Sequence, residues 1–444
     1  MKNLFKNIIE KIKKVSFKEE KPTPYLYVFT FLGLVFLFTF SLTIINLIPS
    51  EPVRDHIVAS YETFKEEDDR HWLTNKKQSL MDIGSDMHMA NITYYIDPSH
   101  PFRSTLKGAR YEDPKWGHAL KLYELTISGE PSNEDYARYW HGWSLWARPI
   151  YLFLTYAQGR IILNLVFYAL LLIVLFLIAK RLKWIFLIPF MVCIWASYYR
   201  AIPMNWHYFN VYLVTLSSIV FLLLKFDKIK ISKIPWIFFI IGALTCFFDL
   251  LTAPLVAFGL PFIIVFSLVW QENLLKSFKE HIIFLIKTGI AWFSGYVSLW
   301  LSKWVLTDAI LNSSIVKNGF DNIKNRTGGG SIHDRLNIVY NQYQHTFNNP
   351  KLFFWLLGIA ALIILIYAIK SKKWIPMAVL ILTALSPIPW YYFTADHARI
   401  HIFFTFRSVS VTIYAILTAL IMIYIDIKKD RMEKIDLANK KEKK

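Results

Sequence analysis

The sequence predicts an all-α, polytopic membrane protein with about ten transmembrane helices. The chain has 444 residues, of which 55% are hydrophobic and 17% are aromatic. Several apolar runs approach the ~20 residues that a helix needs to cross a hydrocarbon core of about 30 Å. Lysine and arginine gather in every second link between these runs, which is the pattern of cytoplasmic loops.

Ten apolar segments are predicted to be spans from their length and hydropathy. The first follows a long basic stretch, is too long for the core of a cleavable signal peptide and lacks a small-residue cleavage site. The predicted spans are residues 25–48, 159–180, 184–200, 208–225, 235–249, 253–271, 282–304, 352–370, 374–392 and 404–426. An even number of spans places both ends of the chain on one side of the membrane.

The distribution of positive charge predicts that this side is the cytoplasm. Each predicted inside segment carries at least two Lys or Arg residues: 1–24, 180–183, 225–233, 276–279, 370–373 and 428–444. The short outside links 201–207 and 250–252 carry none. The net charge of +18 is then explained by basic residues beside an anionic inner leaflet, and no nucleic-acid partner is predicted.

The links between spans define the predicted domain organisation. The divisions are a basic N-terminus (1–24), span one (25–48), a large extracytoplasmic loop (49–158), spans two to seven (159–304), a second extracytoplasmic loop (305–351), spans eight to ten (352–427) and a basic cytoplasmic tail (428–444). An aromatic stretch at 139–156 is predicted to be an interfacial helix within the first loop or a re-entrant entry to the second span. The inside links are too short to fold alone, and no Walker or dinucleotide glycine motif is present.

These divisions place any chemistry on the extracytoplasmic face, where a lipid-carried substrate would replace a soluble nucleotide. The two cysteines, Cys193 and Cys246, lie inside predicted spans and form neither a disulfide framework nor a metal-binding spacing. We therefore predict no cofactor and no dedicated metal site, with a divalent cation as a minor alternative.

An acidic pair opens the first loop and is the first candidate for catalysis. Asp82 and Asp86 are four residues apart, which puts them on one face of a helix, and His88 lies nearby. One carboxylate would act as a general base while the other tunes its pKa. The alternative is a capping or salt-bridge role.

Charged residues at the predicted span ends are candidates for substrate binding, and the cations among them for binding a phosphate. Asp249 either caps span six or pairs with a cation, and Lys303 either snorkels to the interface or binds a phosphate. Arg407 lies within the last span, where an unpaired charge is costly, so we expect it to meet Asp249 or a ligand phosphate. Arg148 and Arg399 are weaker candidates for the same role.

Histidines and aromatic residues complete the polar cluster. His397 and His401 are spaced i, i+4 beside Asp396, a pattern that suits acid/base chemistry, hydroxyl recognition or an ordinary helix start. No HExxH motif is present, so a zinc site is not predicted. His207 is a further substrate-binding candidate, and Trp206, Trp390 and Tyr391 are candidates for sugar stacking, whereas the other Trp and Tyr residues are expected to be interface anchors.

Several sequence blocks resemble those of a set of large membrane proteins associated with envelope and surface-polysaccharide genes of Gram-positive bacteria. The blocks, in chain order, are Asp82–Asp86, RYWHGWSLWARP (138–149), FFDLLTAPLVAFGLPFI (247–263), GYVSLWLSKW (295–304) and WYYFTADHARIHIFFTFR (390–407). In that set Asn commonly precedes the first His of the last block, where this chain has Asp396. The architecture is also similar to that of GT-C glycosyltransferases, which carry an acidic motif in a large first outside loop and use a polyprenyl-phosphate-linked sugar.

The GT-C resemblance implies a membrane glycosyltransferase that acts on a lipid-linked sugar. Asp86 or Asp82 would deprotonate an acceptor hydroxyl on an envelope glycopolymer or glycolipid, while Arg407, Lys303 and Arg148 would hold the donor phosphate. Two alternatives remain: a transporter or flippase for a lipid-linked glycan, and a non-enzymatic partner in envelope polysaccharide assembly.

Overall fold

The computed structural model describes residues 23–115, 118–347, 349–371 and 374–442. The predicted basic segment 1–24 lies almost entirely outside the described residues. The described chain is mainly helical, as predicted, with two small antiparallel sheets. The apolar helices identify a polytopic membrane protein.

The elements follow one another in this order. The helices are α1 (Pro24–Ile45), α2 (Ser50–Val58), α3 (Tyr61–Glu67), α4 (Ile83–Tyr94), α5 (Pro101–Lys107), α6 (Ala119–Ile127), α7 (Ser144–Phe153), α8 (Tyr156–Leu182), α9 (Leu187–Ala196), α10 (Trp206–Lys225), α11 (Ile234–Phe248), α12 (Pro254–Gln271), α13 (Phe278–Leu311), α14 (Ile315–Arg326), α15 (Ile332–Thr346), α16 (Pro350–Ser371), α17 (Ile375–Leu385), α18 (Pro387–Phe393), α19 (Ala395–Ile400), α20 (Ile402–Thr405) and α21 (Val409–Glu442). The strands are β1 (Arg70–Trp72), β2 (Leu80–Asp82), β3 (Ala109–Arg110) and β4 (Glu134–Asp135), and short 3-10 turns lie at Lys77–Ser79, Trp184–Phe186, Phe226–Lys228, Ile231–Lys233 and Phe406–Ser408.

Among the described residues, nine helical segments are long and apolar enough to cross a membrane. They are Pro24–Ile45, Tyr156–Leu182, Trp206–Lys228, Ile231–Phe248, Pro254–Gln271, Phe278–Leu311, Phe354–Ser371, Ile375–Phe393 and Ile402–Asp436. The tenth predicted span, 184–200, corresponds to a shorter apolar helical segment, Trp184–Ala196. The last span continues into the predicted basic tail, which is helical as far as Glu442.

The short segment nevertheless carries the chain from one end of the bundle to the other. Tyr156 and Trp206, which begin α8 and α10, both contact the Asp86 carboxylate. At the opposite ends of these two helices, Arg181 near the end of α8 forms an ion pair with Asp227, which follows α10. The chain between α8 and α10 must therefore return through the bundle, and α9 with the turns after it makes this passage.

Two glycines allow α11 and α13 to pack in backbone contact. A Cβ atom added to Gly242 would lie 1.9 Å from the carbonyl oxygen of Trp292. A Cβ atom added to Gly295 would lie 2.0 Å from the carbonyl oxygen of Phe239. Small residues of this kind let membrane helices approach closely enough for their backbones to touch.

The region between α1 and α8 is folded, and its first sheet positions an acidic residue. Strands β1 and β2 pair antiparallel, with Arg70 opposite Asp82 and Trp72 opposite Leu80. Asp82 is the last residue of β2 and also the N-cap of α4, because it accepts a hydrogen bond from the Ser85 amide. The predicted interfacial helix corresponds to α7, which contains Pro149 and buries Arg148.

The segment between α13 and α16 folds over the same end of the bundle. Helices α14 and α15 pack against α19. The Gln342 side chain donates a hydrogen bond of 2.6 Å to the carbonyl oxygen of Ala398. This segment therefore forms one wall of the site described next.

Candidate functional site

A polar cavity of about 390 Å³ opens at the end of the bundle where α4, α10, α12 and α19 begin. Its lining combines two carboxylates, four arginines and four histidines with aromatic residues from two separate parts of the chain. The polar and aromatic lining residues are Asp69, Arg70, Asp82, Ser85, His88, Arg110, Tyr136, Arg138, Tyr139, His207, Arg326, His397, His401, Phe403 and Phe404. Five of the predicted site residues meet here: Asp82, His88, His207, His397 and His401.

Asp82 is the buried carboxylate of the cavity. Its Oδ1 accepts a hydrogen bond of 3.2 Å from the Ser85 amide, and its Oδ2 accepts one of 2.6 Å from the Ser85 hydroxyl. Burial acts to raise the pKa of Asp82, but the attraction of His207 and the hydrogen bonds from Ser85 outweigh it and lower the pKa below its ordinary value. The carboxylate is therefore ionised at neutral pH.

His207 links Asp82 to a turn between α11 and α12. Its Nδ1 lies 3.6 Å from Oδ2 of Asp82, and its Nε2 lies 2.8 Å from the Thr252 hydroxyl. The Thr252 amide in turn donates to Oδ2 of Asp249. Asp249 itself ends α11 and is buried outside the cavity lining, and burial raises its pKa to about 6.

His397 is fixed in one orientation by two hydrogen bonds. Its Nε2 lies 2.8 Å from the carbonyl oxygen of Leu251, and its Nδ1 lies 2.5 Å from Nη1 of Arg326. Because the carbonyl can only accept and the guanidinium can only donate, the ring is the neutral tautomer protonated at Nε2. Leu251 adopts a φ of +67°, a conformation that bulky residues rarely adopt, and this conformation belongs to the turn that receives His397.

His401 has a free ring nitrogen in the cavity wall. Its ring centroid lies 4.8 Å from that of His397 and 4.9 Å from that of Phe404, on which it stacks. Nδ1 of His401 is buried and has no hydrogen-bond partner among the described residues. Burial lowers the pKa of His401 to about 4, and burial likewise lowers the pKa of His88 to about 4, so both rings are neutral at pH 7.

The arginines give the cavity an excess of positive charge. Arg110 is compensated, because it lies 2.8 Å from Glu112 and 2.7 Å from Glu134. The guanidinium of Arg70 lies over the ring of Phe403, and Arg138 lies over the ring of Tyr136.

Within the described residues, Arg70, Arg138 and Arg326 form no ion pair with a carboxylate. Three guanidinium groups are thus available to an anion, and their planar forks suit phosphate.

Asp86 lies beneath the cavity and caps α10. Its Oδ2 accepts hydrogen bonds from the Tyr156 hydroxyl (2.5 Å), the Asn205 side chain (2.8 Å) and the Trp206 amide (2.9 Å), and its Oδ1 accepts one from the His207 amide (2.8 Å). Burial raises the pKa of Asp86 to about 7, against the effect of these hydrogen bonds. Asp86 is not part of the cavity lining. Its hydrogen bonds hold the start of α10, which carries His207.

Three predicted phosphate-binding residues are buried against backbone carbonyls instead. Lys303 donates to the carbonyl oxygens of Thr105 (2.6 Å) and Leu106 (2.8 Å) at the end of α5. Arg148 donates to the carbonyl oxygens of Ile48 and Thr93.

Arg407 donates to the carbonyl oxygen of Phe403, and its guanidinium carbon lies 4.0 Å from the ring centroid of Tyr208. In the described part of the chain it makes no ion pair with Asp249.

The remaining predicted residues lie outside the cavity lining. Arg399 and Asp396 form an ion pair of 2.9 Å in which the arginine is largely exposed. Tyr391 is buried and donates to the carbonyl oxygen of Thr405, and Trp206 packs against Trp146 and Tyr151. Trp390 is half-buried and also packs among hydrophobic residues.

One group of residues at the rim has the geometry of a cation site. Ligand atoms of Asp68, Asp69 and His118 lie within 4.8 Å of one another, and Asp69 also lines the cavity. Both Asp69 oxygens accept hydrogen bonds from the first amides of α6, at Ala119 and Leu120, so this group already has a structural role. The ring nitrogens of His397 are both engaged, which leaves the His397–His401 pair without a common open face for a metal.

Sequence reasoning missed the arginines of the cavity. Arg138 lies in one of the aromatic blocks, but nothing in the sequence distinguishes it from Arg148, which is buried elsewhere. Arg70, Arg110 and Arg326 lie in hydrophilic loops, where charged residues are ordinary. The pairing of β1 with β2, the pairing of β3 with β4 and the packing of α14 on α19 bring them to the cavity.

Comparisons with known proteins identify no family for the chain. No protein-family model matches it, and neither the curated proteins nor the solved structures include a significant match.

Proposed function

We propose that this protein is a membrane glycosyltransferase of the GT-C type, which transfers a sugar from a polyprenyl-phosphate-linked donor to a cell-envelope glycopolymer. One observation carries the proposal: an ionised carboxylate, Asp82, shares a 390 Å³ cavity with three arginines that have no carboxylate partner among the described residues. Glycosyl transfer from a phosphate-linked donor needs both parts, a proton acceptor and cations for the leaving phosphate.

The reaction assigns a separate role to each part. Asp82 accepts the proton of an acceptor hydroxyl as the hydroxyl oxygen attacks the anomeric carbon of the sugar. The bond from that carbon to the phosphate oxygen breaks, and its electron pair leaves with the lipid phosphate. Arg326, Arg138 and Arg70 stabilise the charge that develops on this phosphate, an effect that is largest where water is excluded.

The histidines bind and orient other groups of the cavity. His401 has an unpartnered buried nitrogen in the wall, which suits a hydroxyl of the sugar or acceptor. His397 holds Arg326 in place through its Nδ1. His207 lies beside Asp82 and favours the ionised form of its carboxylate.

The predicted topology puts this cavity on the extracytoplasmic face. Two links carry no Lys or Arg, at 201–207 and 250–252, and each contributes one residue to the cavity lining, His207 and Leu250. The opposite end of the bundle has the basic links at 180–183 and 225–233. A donor attached to a lipid reaches such a site from the outer leaflet, where soluble sugar nucleotides are normally not available.

The test compares envelope glycopolymers by mass spectrometry in a gene-deletion strain and its complemented derivatives. The complementing genes encode the wild type, Asp82→Asn, Arg326→Gln and the control Asp97→Asn, whose carboxylate is on the surface, with matched protein levels in the membrane. We expect the deletion to lack one sugar substituent, which the wild type and Asp97→Asn restore and the other two variants do not.

Two other outcomes would overturn the proposal. Restoration by Asp82→Asn would remove the proposed base from the mechanism. Accumulation of the complete lipid-linked glycan in the deletion strain, with no missing sugar, would instead indicate a transporter or flippase.

A further inference from the structure

A second concavity, of about 520 Å³, lies outside the polar cavity and shares no lining residue with it. Three parts of the chain form it: the turn between β1 and β2, the end of α9 with the turn that follows, and the start of α16. We call it the lateral groove. Helices α9 and α16 are apolar and expose large apolar side chains at the groove, which is typical of a surface in contact with lipid.

The lining of the lateral groove combines apolar and cationic side chains. Trp195, Leu352 and Leu356 are 60%, 55% and 55% exposed although they are apolar. Lys76 and Arg200 also line the groove, and both are exposed. No carboxylate contributes to the lining, so its charge is positive.

Hydrogen bonds hold the turn that carries Lys76 against the rest of the protein. The side chains of Lys77 and Gln78 donate to the carbonyl oxygens of Gln344 and His345, at 2.8 and 2.6 Å. The Thr74 hydroxyl lies 2.9 Å from the hydroxyl of Tyr198, at the base of the Arg200 turn. The groove is therefore preformed, which lowers the cost of ordering it around a ligand.

We propose that the lateral groove binds an anionic glycerophospholipid of the surrounding bilayer. Its acyl chain would lie against Trp195, Leu352 and Leu356, and its phosphate between Lys76 and Arg200. Basic residues at a membrane surface attract anionic headgroups, and tryptophan favours the same depth. This inference does not rest on the proposed function, because it concerns a bound bilayer lipid and not a reactant.

The experiment measures the lipid retained by the purified full-length protein. The protein is extracted in detergent, exchanged into an equimolar mixture of phosphatidylglycerol and phosphatidylcholine, and analysed by native mass spectrometry. We expect wild type to retain one phosphatidylglycerol in preference to phosphatidylcholine by a factor on the order of ten, since two cations face one phosphate.

The test variant is the double substitution Lys76→Gln with Arg200→Gln, and its matched control is Lys317→Gln with Lys324→Gln on the exposed surface of α14. The preference should fall to about one in the test variant and persist in the control. Thermal unfolding in detergent without lipid should be equal for both, which separates loss of binding from loss of folding.

A second variant, Leu356→Lys, tests the apolar part of the lining, because a charge at this position opposes the binding of an acyl chain. Equal retention of both lipids by wild type, or an unchanged preference in Lys76→Gln with Arg200→Gln, would overturn the proposal. So would displacement of the retained lipid by free phosphate, since the site would then recognise an ion and not a lipid.

Discussion

Arg326 donates a hydrogen bond of 2.5 Å to Nδ1 of His397, and so joins α14 to α19 at the wall of the cavity. The bond fixes both partners, because His397 is held on its other side by the carbonyl oxygen of Leu251. An arginine that forms no ion pair with a carboxylate of the described chain is thereby kept in one position inside a cavity that has an excess of positive charge.

Replacing Arg326 by lysine should lower the proposed transferase activity by about tenfold, although the positive charge is kept. The lysine loses the planar fork that serves His397 and the phosphate together, and a hydrogen bond to a charged group contributes about 1.5–3 kcal/mol. The measurement is the transfer rate of the purified protein with the donor identified by envelope analysis. Lys324→Ala, an exposed change two residues away, should leave the rate unaltered, and an unaltered rate in Arg326→Lys would contradict the role given to this guanidinium.

The activity should be nearly independent of pH between 5 and 8. The pKa of Asp82 is lowered from its ordinary value of about 3.9, so its ionised form is complete above pH 5 and is lost only as the pH falls through the lower, folded-state pKa. The stability that its ionisation contributes follows the same direction, being present above about pH 4 and lost below it. The measurement is kcat/KM across this range.

If Asp86 were the general base, the activity would have a different pH profile. Because burial raises its pKa to about 7, the rate would then fall with decreasing pH already between pH 7 and 6. An acid limb at that position would assign the proton transfer to Asp86 and not to Asp82.

Asp86→Asn should destabilise the protein by about 2–4 kcal/mol. The carboxylate accepts four hydrogen bonds. The NH₂ group of an asparagine cannot accept a hydrogen bond, so some of the groups that donate to Asp86 would be buried without an acceptor. Thermal unfolding in detergent measures the effect, with the exposed Asp97→Asn as control. Equal midpoints for both variants would show that these hydrogen bonds do not hold the start of α10.

Lys303→Met should reduce stability while the specific activity of the folded protein stays within about twofold of wild type. The ammonium donates to the buried carbonyl oxygens of Thr105 and Leu106, and the loss of a buried hydrogen bond of this kind costs about 1–3 kcal/mol. The Leu106 carbonyl oxygen keeps a longer hydrogen bond of 3.5 Å from the Thr307 hydroxyl. Lys107→Met, at the surface end of α5, is the control. A specific loss of activity without a loss of stability would favour the earlier interpretation that Lys303 binds phosphate.

Gly242→Ala should destabilise the bundle by roughly 1–3 kcal/mol, because the new methyl group would overlap the backbone of α13. Gly358→Ala adds the same methyl group where no atom lies within 4 Å, and it should be neutral or slightly stabilising. The yield of folded protein and its unfolding midpoint check both. Tolerance of Gly242→Ala would mean that α11 and α13 can separate without cost.

The bundle could be predicted from the sequence to a large extent, whereas the site could be predicted only in part. Apolar runs reveal spans because hydrocarbon demands them, and nine of the ten predicted spans correspond to long helices in the described chain. The exception, at 184–200, is a short helix continued by turns, and hydropathy alone does not distinguish this from a full span.

The incomplete prediction of the site residues from the sequence has a physical cause. Asp82, His207, His397 and His401 were predicted because polar residues beside hydrocarbon are costly and conspicuous. Lys303, Arg148 and Arg407 are equally conspicuous, yet they bond to carbonyls. The sequence shows that a buried charge needs a partner, but tertiary packing decides whether that partner is a ligand or the backbone.

The pairing of β1 with β2 has a consequence for the tolerance of the chain to insertions. Asp82 stands opposite Arg70 because three residue pairs are aligned in one register, and a slip by one residue would turn Met81 toward the position of the carboxylate. The turn between the strands carries Lys76 to the lateral groove, so one short ribbon sets the spacing between two separate surfaces. An added residue within either strand would displace the carboxylate from the arginines of the cavity, whereas an added residue at Asn75 would leave the strand register intact and would instead disturb the hydrogen bonds that hold the turn.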